Sequence, residues 1–382
     1  MTKKTWKRSV RMLTVAVAGF AAALTVAACS SGGGTDNSDV STAPGGKASG
    51  TLNVSNWPLY IDENTVSDFE KKTGITVKYN EDVNSNTDFF GKVQPLLANG
   101  DSGGRSIVTV TDWMSQKMWD LGYLQKLNPD ELTTVFDNLI PSLQDPAFDP
   151  GREYSIPWQS GMTGLVVRTD LAPDVKSIND LFDPKYKGKV TMLDELRDTV
   201  PLVMKADGVD PTEADTQDWL DAIDKVKQAK NDGQLRRFTG NDYGQDLAKG
   251  DVVAAIGWSG DAVQLQADNE NIKYIQPEQG CMLWSDNMSI PVGAPNSAAA
   301  YEFMNYVYEP ENQAQIVEYV NYISPVKGVK EILTKKDPAL AENELIFPSE
   351  QFLSKCTNQV SPPGDATEQK EVENAWVSVV EG

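Results

Sequence analysis

The chain has 382 residues, with 34 Lys and Arg against 55 Asp and Glu, a net charge of −21 and no histidine. Such a body repels nucleic acid and attracts cations, small organic ones included. The lack of histidine excludes Ser–His and Cys–His nucleophile pairs and the commonest zinc ligand. No G-x-S-x-G elbow and no P-loop occurs, so no cofactor or metal is expected.

Lys3, Lys4, Lys7, Arg8 and Arg11 precede an apolar run over residues 12–26, and Val26-Ala27-Ala28-Cys29 follows. This predicts a signal peptide over residues 1–28. A cysteine at the cleavage point is similar to the bacterial lipobox, whose thiol takes a diacylglycerol; an ordinary secretory signal with a chance cysteine is the alternative. Acyl chains on Cys29 would hold the protein on a membrane surface. Residues 29–50, rich in Gly, Ser, Thr and Asp, read as a lipidated flexible tether. No later segment approaches the ~20 apolar residues of a membrane helix.

The strand TLNVSNW (51–57) opens the folded part, with Leu52 and Val54 alternating with polar neighbours. Asp62 can cap a helix with Ile61 and Val66 as a hydrophobic staple, and Gly74 ends it. ITVKY (75–79) is the next strand, which implies a βαβ unit and a parallel sheet. SIVTVT (106–111) extends the sheet and leads into the helix SQKMWDLGYL (115–124). KGKVTML (187–193), GQLRRF (233–238) and DVVAAIGW (251–258) read as strands, separated by helices such as 214–230 and 260–269. Residues 301–320 read as two helices broken at Pro310, and the whole is α/β without internal repeats. Asp82, Asn84, Asn86 and Asp88 have the spacing of a calcium loop, but Thr87 and Val93 stand where Gly and Glu are needed. A solvated polar loop is the expectation there. Cys281 and Cys356 are read as one disulfide of an exported protein, with two free thiols as the alternative.

Three short strings suggest an enzyme. Lys72-Thr73-Gly74, Ser285-Asp286-Asn287 and Ser324 to Lys327 match the K-T-G, S-D-N and S-x-x-K signatures of penicillin-recognising serine hydrolases. Their order in the chain is reversed, Pro325 and Gly328 spoil the helix that S-x-x-K should open, and the K-T-G closes a helix instead of lying on a strand. A different pattern is more consistent. Trp57, Tyr60, Thr111, Trp113, Glu195, Asp198, Trp258, Trp284 and Asp286 all fall where strands end, the usual ligand edge of an α/β sheet. Indole faces attract ammonium groups and cover methylene chains, while carboxylates bind charged nitrogens.

Residues 51 to about 350 resemble the bacterial polyamine-binding proteins, extracytoplasmic receptors of ATP-driven (ABC) spermidine/putrescine uptake systems. The resemblance runs through NWPLYIDENTVSDFEKKTGITVKY, YSIPWQSGMTGL (154–165), FDPKYKGKVTMLDELRD (182–198), KGDVVAAIGWSGDA (249–262) and MLWSDNMSIPVGAPN (282–296). It implies the two-lobed, type II periplasmic-binding-protein fold, with a mostly parallel sheet in each lobe and the ligand cleft between them. Lobe 1 would be 51–161 plus about 287–325, and lobe 2 would be 162–286 plus about 326–382. Carried over residue by residue, Trp57 and Tyr60 would line the cleft from the first lobe. Thr111 stands for the family's Ser and Trp113 for its Tyr. Glu195 and Asp198 are acids suited to an internal and a terminal nitrogen. Trp258 and Trp284 would stack on the methylene chain, Asp286 would anchor an ammonium, and Tyr322 matches a further aromatic. A permease with its ATPase would be the partner of a monomeric receptor. Pro58 departs from the family's polar residue, and residues 351–382 do not follow the pattern; a Cys281–Cys356 bridge could pin that part near the cleft.

Overall fold

A computed structural model describes residues 48–382; the leader, the lipidation candidate Cys29 and most of the tether lie outside the described residues. The first unit follows the sequence reading closely. Strand β1 (Thr51–Asn56), helix α1 (Glu63–Thr73) and strand β2 (Thr76–Glu81) form a parallel βαβ pair. Asp62 accepts from the backbone N–H groups of Asn64 and Thr65, and Gly74 closes the helix at φ 78°, the left-handed geometry that glycine adopts without strain. Helix α2 (Asn86–Leu97), strand β3 (Ile107–Thr111), helix α3 (Asp112–Asp120) and helix α4 (Thr133–Asn138) complete this part.

Strand β4 (Ile156–Arg168) is thirteen residues long and buried almost throughout, so it shows no alternation that sequence could reveal. Then come β5 (Val190–Leu193), α5 (Leu196–Ala206), α6 (Thr216–Asn231), β6 (Leu235–Thr239), α7 (Tyr243–Lys249), β7 (Ala254–Trp258), α8 (Ser259–Asp268) and β8 (Ile272–Ile275). Strand β9 (Met282–Ser289) returns the chain to the first part, where α9 (Ser297–Val307) and α10 (Pro310–Val320) pack, Pro310 opening the second of them. Helices α11 (Val329–Lys336), α12 (Pro338–Ala341) and α13 (Glu350–Leu353), strand β10 (Thr357–Asn358) and helix α14 (Ala366–Glu381) end the chain.

The strand order is β2-β1-β3-β9-β4-β7-β5-β6. The outer trios β2-β1-β3 and β7-β5-β6 are parallel, while β9 and β4 are antiparallel to each other and to their outer neighbours. Two parallel sheets thus share a central pair of long strands, which defines the two-lobed α/β architecture. Helix α11 packs on α10, and Val326 pairs with Leu139. Further on, β10 and α14 pack on β9 and α6. No described helix is long and apolar enough to cross a membrane.

Candidate functional site

The parallel strands of both lobes and the crossing strand β9 deliver their ends to one cleft. Trp57 and Tyr60 enter from the turn after β1, shaped by Leu59 at φ 58°, whose N–H is held by Glu81 Oε1 at 2.9 Å. Thr111 ends β3. Glu195 precedes α5 and Asp198 lies in its first turn, Trp258 ends β7, and Trp284 and Asp286 lie on β9. All of these, with Tyr322, line the cleft.

Its carboxylates belong to two hydrogen-bonded chains. Thr111 Oγ1 donates to Asp286 Oδ1 at 2.9 Å and accepts from Asn86 Nδ2 at 2.8 Å. The Asn86 backbone N–H and side-chain amide donate onward to Glu195 Oε1 at 2.6 and 3.0 Å, so a residue of the first lobe grips an acid of the second. In the other chain Trp284 Nε1 donates to Thr163 Oγ1 at 3.0 Å. Thr163 donates to Asp198 Oδ1 at 2.6 Å, which also accepts from Gln359 Nε2 at 2.7 Å. A fourth acid, Asp261, accepts from Tyr322 Oη and Tyr243 Oη at 2.7 and 2.8 Å.

Burial governs the electrostatics. Asp286 is 4 % exposed, and Glu195 and Asp198 are 3 % exposed. Loss of water raises the Asp286 carboxyl to about 8 against the opposing Thr111 hydrogen bond. Burial and then the neighbouring Asp198 charge raise Glu195 to about 7. Burial lifts Asp198 and Asp261 to about 6, opposed by their hydroxyl and amide donors. Among the described residues, no Lys or Arg forms an ion pair with any of the four. Arg197, the nearest cation in sequence, pairs with Glu373 at 3.2 Å instead.

Aromatic rings fill the remaining wall: Trp57–Trp258 at 5.8 Å, Trp258–Trp284 at 6.4 Å and Tyr322–Tyr60 at 5.0 Å between centroids meet edge to face, and Trp284–Tyr322 at 5.6 Å is tilted. The buried Trp57 Nε1 has no partner in the protein, and the adjacent Pro58, also on the cleft wall, has no N–H to offer.

Trp113 is the exception among the predicted residues. It is not on the cleft wall; the Arg197 guanidinium covers its ring, 3.9 Å from the centroid, so the expected aromatic wall is replaced by a contact between α3 and α5. The polar stretch 82–88 is likewise not the solvated loop expected. Asn86 is 2 % exposed and spans the lobes, because a helix N-terminus brings it against Glu195. Asn241, Asp261 and Gln359 also line the cleft and were not singled out. Asp261 sits three residues after Trp258 within GWSGDA, a usable signal; Gln359 had none beyond its nearness to Cys356.

The hydrolase strings are employed elsewhere. Lys72 Nζ lies 5.1 Å from the Tyr306 ring centroid, Lys327 Nζ donates to Asp137 O at 3.0 Å, and Ser285 Oγ pairs with Ser160 Oγ at 2.5 Å. None of Lys72, Ser324 and Lys327 touches the cleft. Asn287 instead accepts from Arg152 Nη1 at 3.0 Å and donates to Asp112 at 2.6 Å, bracing β9 from the side away from Asp286.

A two-lobed α/β chain whose strand ends and crossing strands enclose one small cleft is the architecture of a solute receptor. The model of the bacterial extracellular solute-binding proteins matches residues 64–344, and the chain belongs to that family; its fold is that of the type II periplasmic binding proteins. The spermidine/putrescine-binding periplasmic protein of Escherichia coli K12 is 26 % identical over 306 residues, covering 79 % of this chain and 84 % of its own. The putrescine-binding periplasmic protein of the same organism is 29 % identical over 335 residues, covering 82 % and 87 %. The spermidine/putrescine transporter substrate-binding protein of Streptococcus pneumoniae superposes with a TM-score of 0.68 at 26 % identity, covering 86 % and 98 %.

Proposed function

We propose that this chain captures polyamines of the spermidine/putrescine class outside the cell and delivers them to the permease of an ATP-driven importer. The observation that carries the reading is a set of four acids on one cleft wall, Glu195, Asp198 and Asp286 buried and Asp261 partly so, none of which forms an ion pair with a Lys or Arg among the described residues. Buried carboxylates are unfavourable until a charge compensates them, and the ammonium groups of a polyamine supply that charge. The methylene segments between those ammoniums are apolar and fit the faces of Trp57, Trp258 and Trp284. Affinity and spacing therefore come from one wall. A diamine reaches fewer acids than a triamine and leaves a carboxylate uncompensated.

Transport needs no bond chemistry. A ligand that touches both lobes favours the closed arrangement by its differential affinity, and the Asn86–Glu195 contact is made only when the lobes meet. The closed receptor is the form a permease would recognise. Lipid on Cys29 and the tether to residue 50 would keep the monomeric receptor at the membrane beside that permease.

Calorimetric titration of the full chain in detergent with spermidine, spermine and putrescine tests the reading, after dialysis against high salt to remove co-purified amine. One-to-one saturable binding, lost in Asp286→Ala, is expected; a folded wild-type sample that binds none of the three would sink it. Metabolic labelling with a fatty acid checks the anchor: wild type should incorporate label and Cys29→Ala should not.

A further inference from the structure

The segment after Leu353 brings Gln359 to the cleft with little secondary structure of its own. Strand β10 has two residues, paired to β9 through Thr357 and Asn358. Besides its hydrogen bonds and the docking of α14 on α6, a covalent link ties the segment down: Cys281, fully buried just before β9, is joined Sγ to Sγ to Cys356, just before β10, with Cα atoms 4.4 Å apart. Around the bridge the packing is close. Gly280 at φ 96° leaves no room for a Cβ beside Lys355 O, and Gln276 Nε2 donates to Phe352 O at 3.1 Å. Thr357 N donates to Cys281 O at 2.9 Å and Gln359 N to Leu283 O at 2.8 Å. Lys205 Nζ holds Thr357 Oγ1 at 2.9 Å. Gln359, three residues beyond the cysteine, then donates Nε2 to Asp198 Oδ1 at 2.7 Å, leaving its own Oε1 buried without a partner in the cleft wall.

We propose that the Cys281–Cys356 bridge is a positioning device for the cation site: it holds Gln359 on Asp198, and without it the site loses affinity. The geometry gives the reason. A two-residue strand supplies too few ladder bonds to keep an extended segment docked on its own, whereas the bridge closes a loop of 75 residues and removes the freedom of the segment to leave. Asp198 faces Thr163 from β4, Gln359 from the segment and the Glu195 carboxyl at the head of α5. Trp258 at the end of β7 also faces the Asp198 carboxyl as a donor, so releasing Gln359 removes one of its three donors.

The inference rests on the polyamine reading only for its affinity readout, so the test has two arms on the full chain. In the first, Cys281→Ser/Cys356→Ser is expected to bind spermidine about tenfold more weakly than wild type, the worth of one hydrogen bond to a charged group. Gln359→Leu with the bridge intact should lose a similar factor. Combining the three substitutions should add nothing further, because the bridge acts through Gln359. In the second arm, without ligand, a carbon-13 titration of the Asp198 carboxyl should move upward in both variants, since the stabilising donor is gone.

Unchanged Asp198 titration in the Cys281→Ser/Cys356→Ser protein would overturn the inference, as would losses that simply add in the combined variant. Should the serine variant fail to fold, Gln359→Leu with its bridge intact still decides: wild-type titration of Asp198 there overturns the inference. If the wild-type chain binds no polyamine, the reading of the ligand fails by itself, and the ligand-free titration still decides the role of the bridge.

Discussion

Thr111 and Asp286 stand directly opposite each other in the antiparallel β3–β9 pair, and the Thr111 hydroxyl donates to the Asp286 carboxylate at 2.9 Å across 175 positions of sequence. The register that joins the first lobe to the crossing strand is thus also what aims the acid. One oxygen of Asp286 is fixed by the protein while burial holds the whole group near neutrality, at about 8. A cation that enters the cleft meets a carboxyl already oriented and ready to give up its proton.

Replacing Asp286 by Asn keeps the shape and removes the charge. Polyamine affinity should fall on the order of 100-fold or more, the usual penalty for deleting one member of a buried charge pair. Thr111→Val, which removes the orienting donor and leaves the charge, should lose roughly tenfold. Titration calorimetry on both variants checks the ranking; equal losses would mean that orientation, not charge, dominates.

Stability without ligand should decline as pH rises. Asp286 and Glu195 are raised by burial from ordinary carboxyl values to about 8 and about 7. Between about pH 4 and 8 the unfolded chain has released these protons while the folded chain retains them. The unfolded state binds fewer protons there, so the slope of stability against pH is negative. The stabilisation is full below pH 4 and is lost as pH passes through the folded values. Melting scans from pH 5 to 8.5 should show a drop of roughly 5 °C or more from these groups. Asp286→Asn should flatten the slope and melt higher than wild type at pH 8.

Asn86 ties Thr111 to Glu195 and so ties one lobe to the other. Asn86→Ala leaves the backbone N–H donor to Glu195 but removes the amide bridge. Ligand affinity should fall about tenfold, and the ligand-free protein should spend more time open. Small-angle scattering should then give a larger radius of gyration for the ligand-free variant and the wild-type value once spermidine saturates it.

The parts legible from sequence are those set by local rules. Asp62 and Gly74 mark both ends of α1 because capping is a short-range effect, and the parallel trio of the first lobe follows from its βαβ spacing. Eight of the ten predicted cleft residues meet at one cleft because strand ends carry them there, and Tyr322 joins them from the end of α10. Strand β4 was missed because burial on both faces erases alternation. Trp113 was misplaced because the face of a helix residue is decided by a partner distant in sequence, here Arg197. Asn86 and Gln359 reach the site through lobe closure and a disulfide, neither of which leaves a local pattern.

Glycine at 161 is required by the cleft itself. It faces Trp284 in the β4–β9 register, and a Cβ there would lie 2.5 Å from Trp284 Cζ2 and 3.0 Å from Tyr322 Cδ1. Both rings are wedged: Trp284 by its bond to Thr163, Tyr322 by its bond to Asp261. Gly161→Ala should therefore cost about 1–3 kcal/mol of stability and displace the indole from the wall, lowering polyamine affinity by roughly tenfold. Gly91→Ala is the matched control. It lies inside α2 on the exposed side, with nothing within 4 Å of the added methyl, so the same substitution should stabilise by about 0.5–1 kcal/mol and leave binding unchanged. Denaturant melts and titrations of the pair separate the two mechanisms: opposite signs in stability, with affinity lost only at Gly161, would place the constraint in the aromatic wall and not in the substitution.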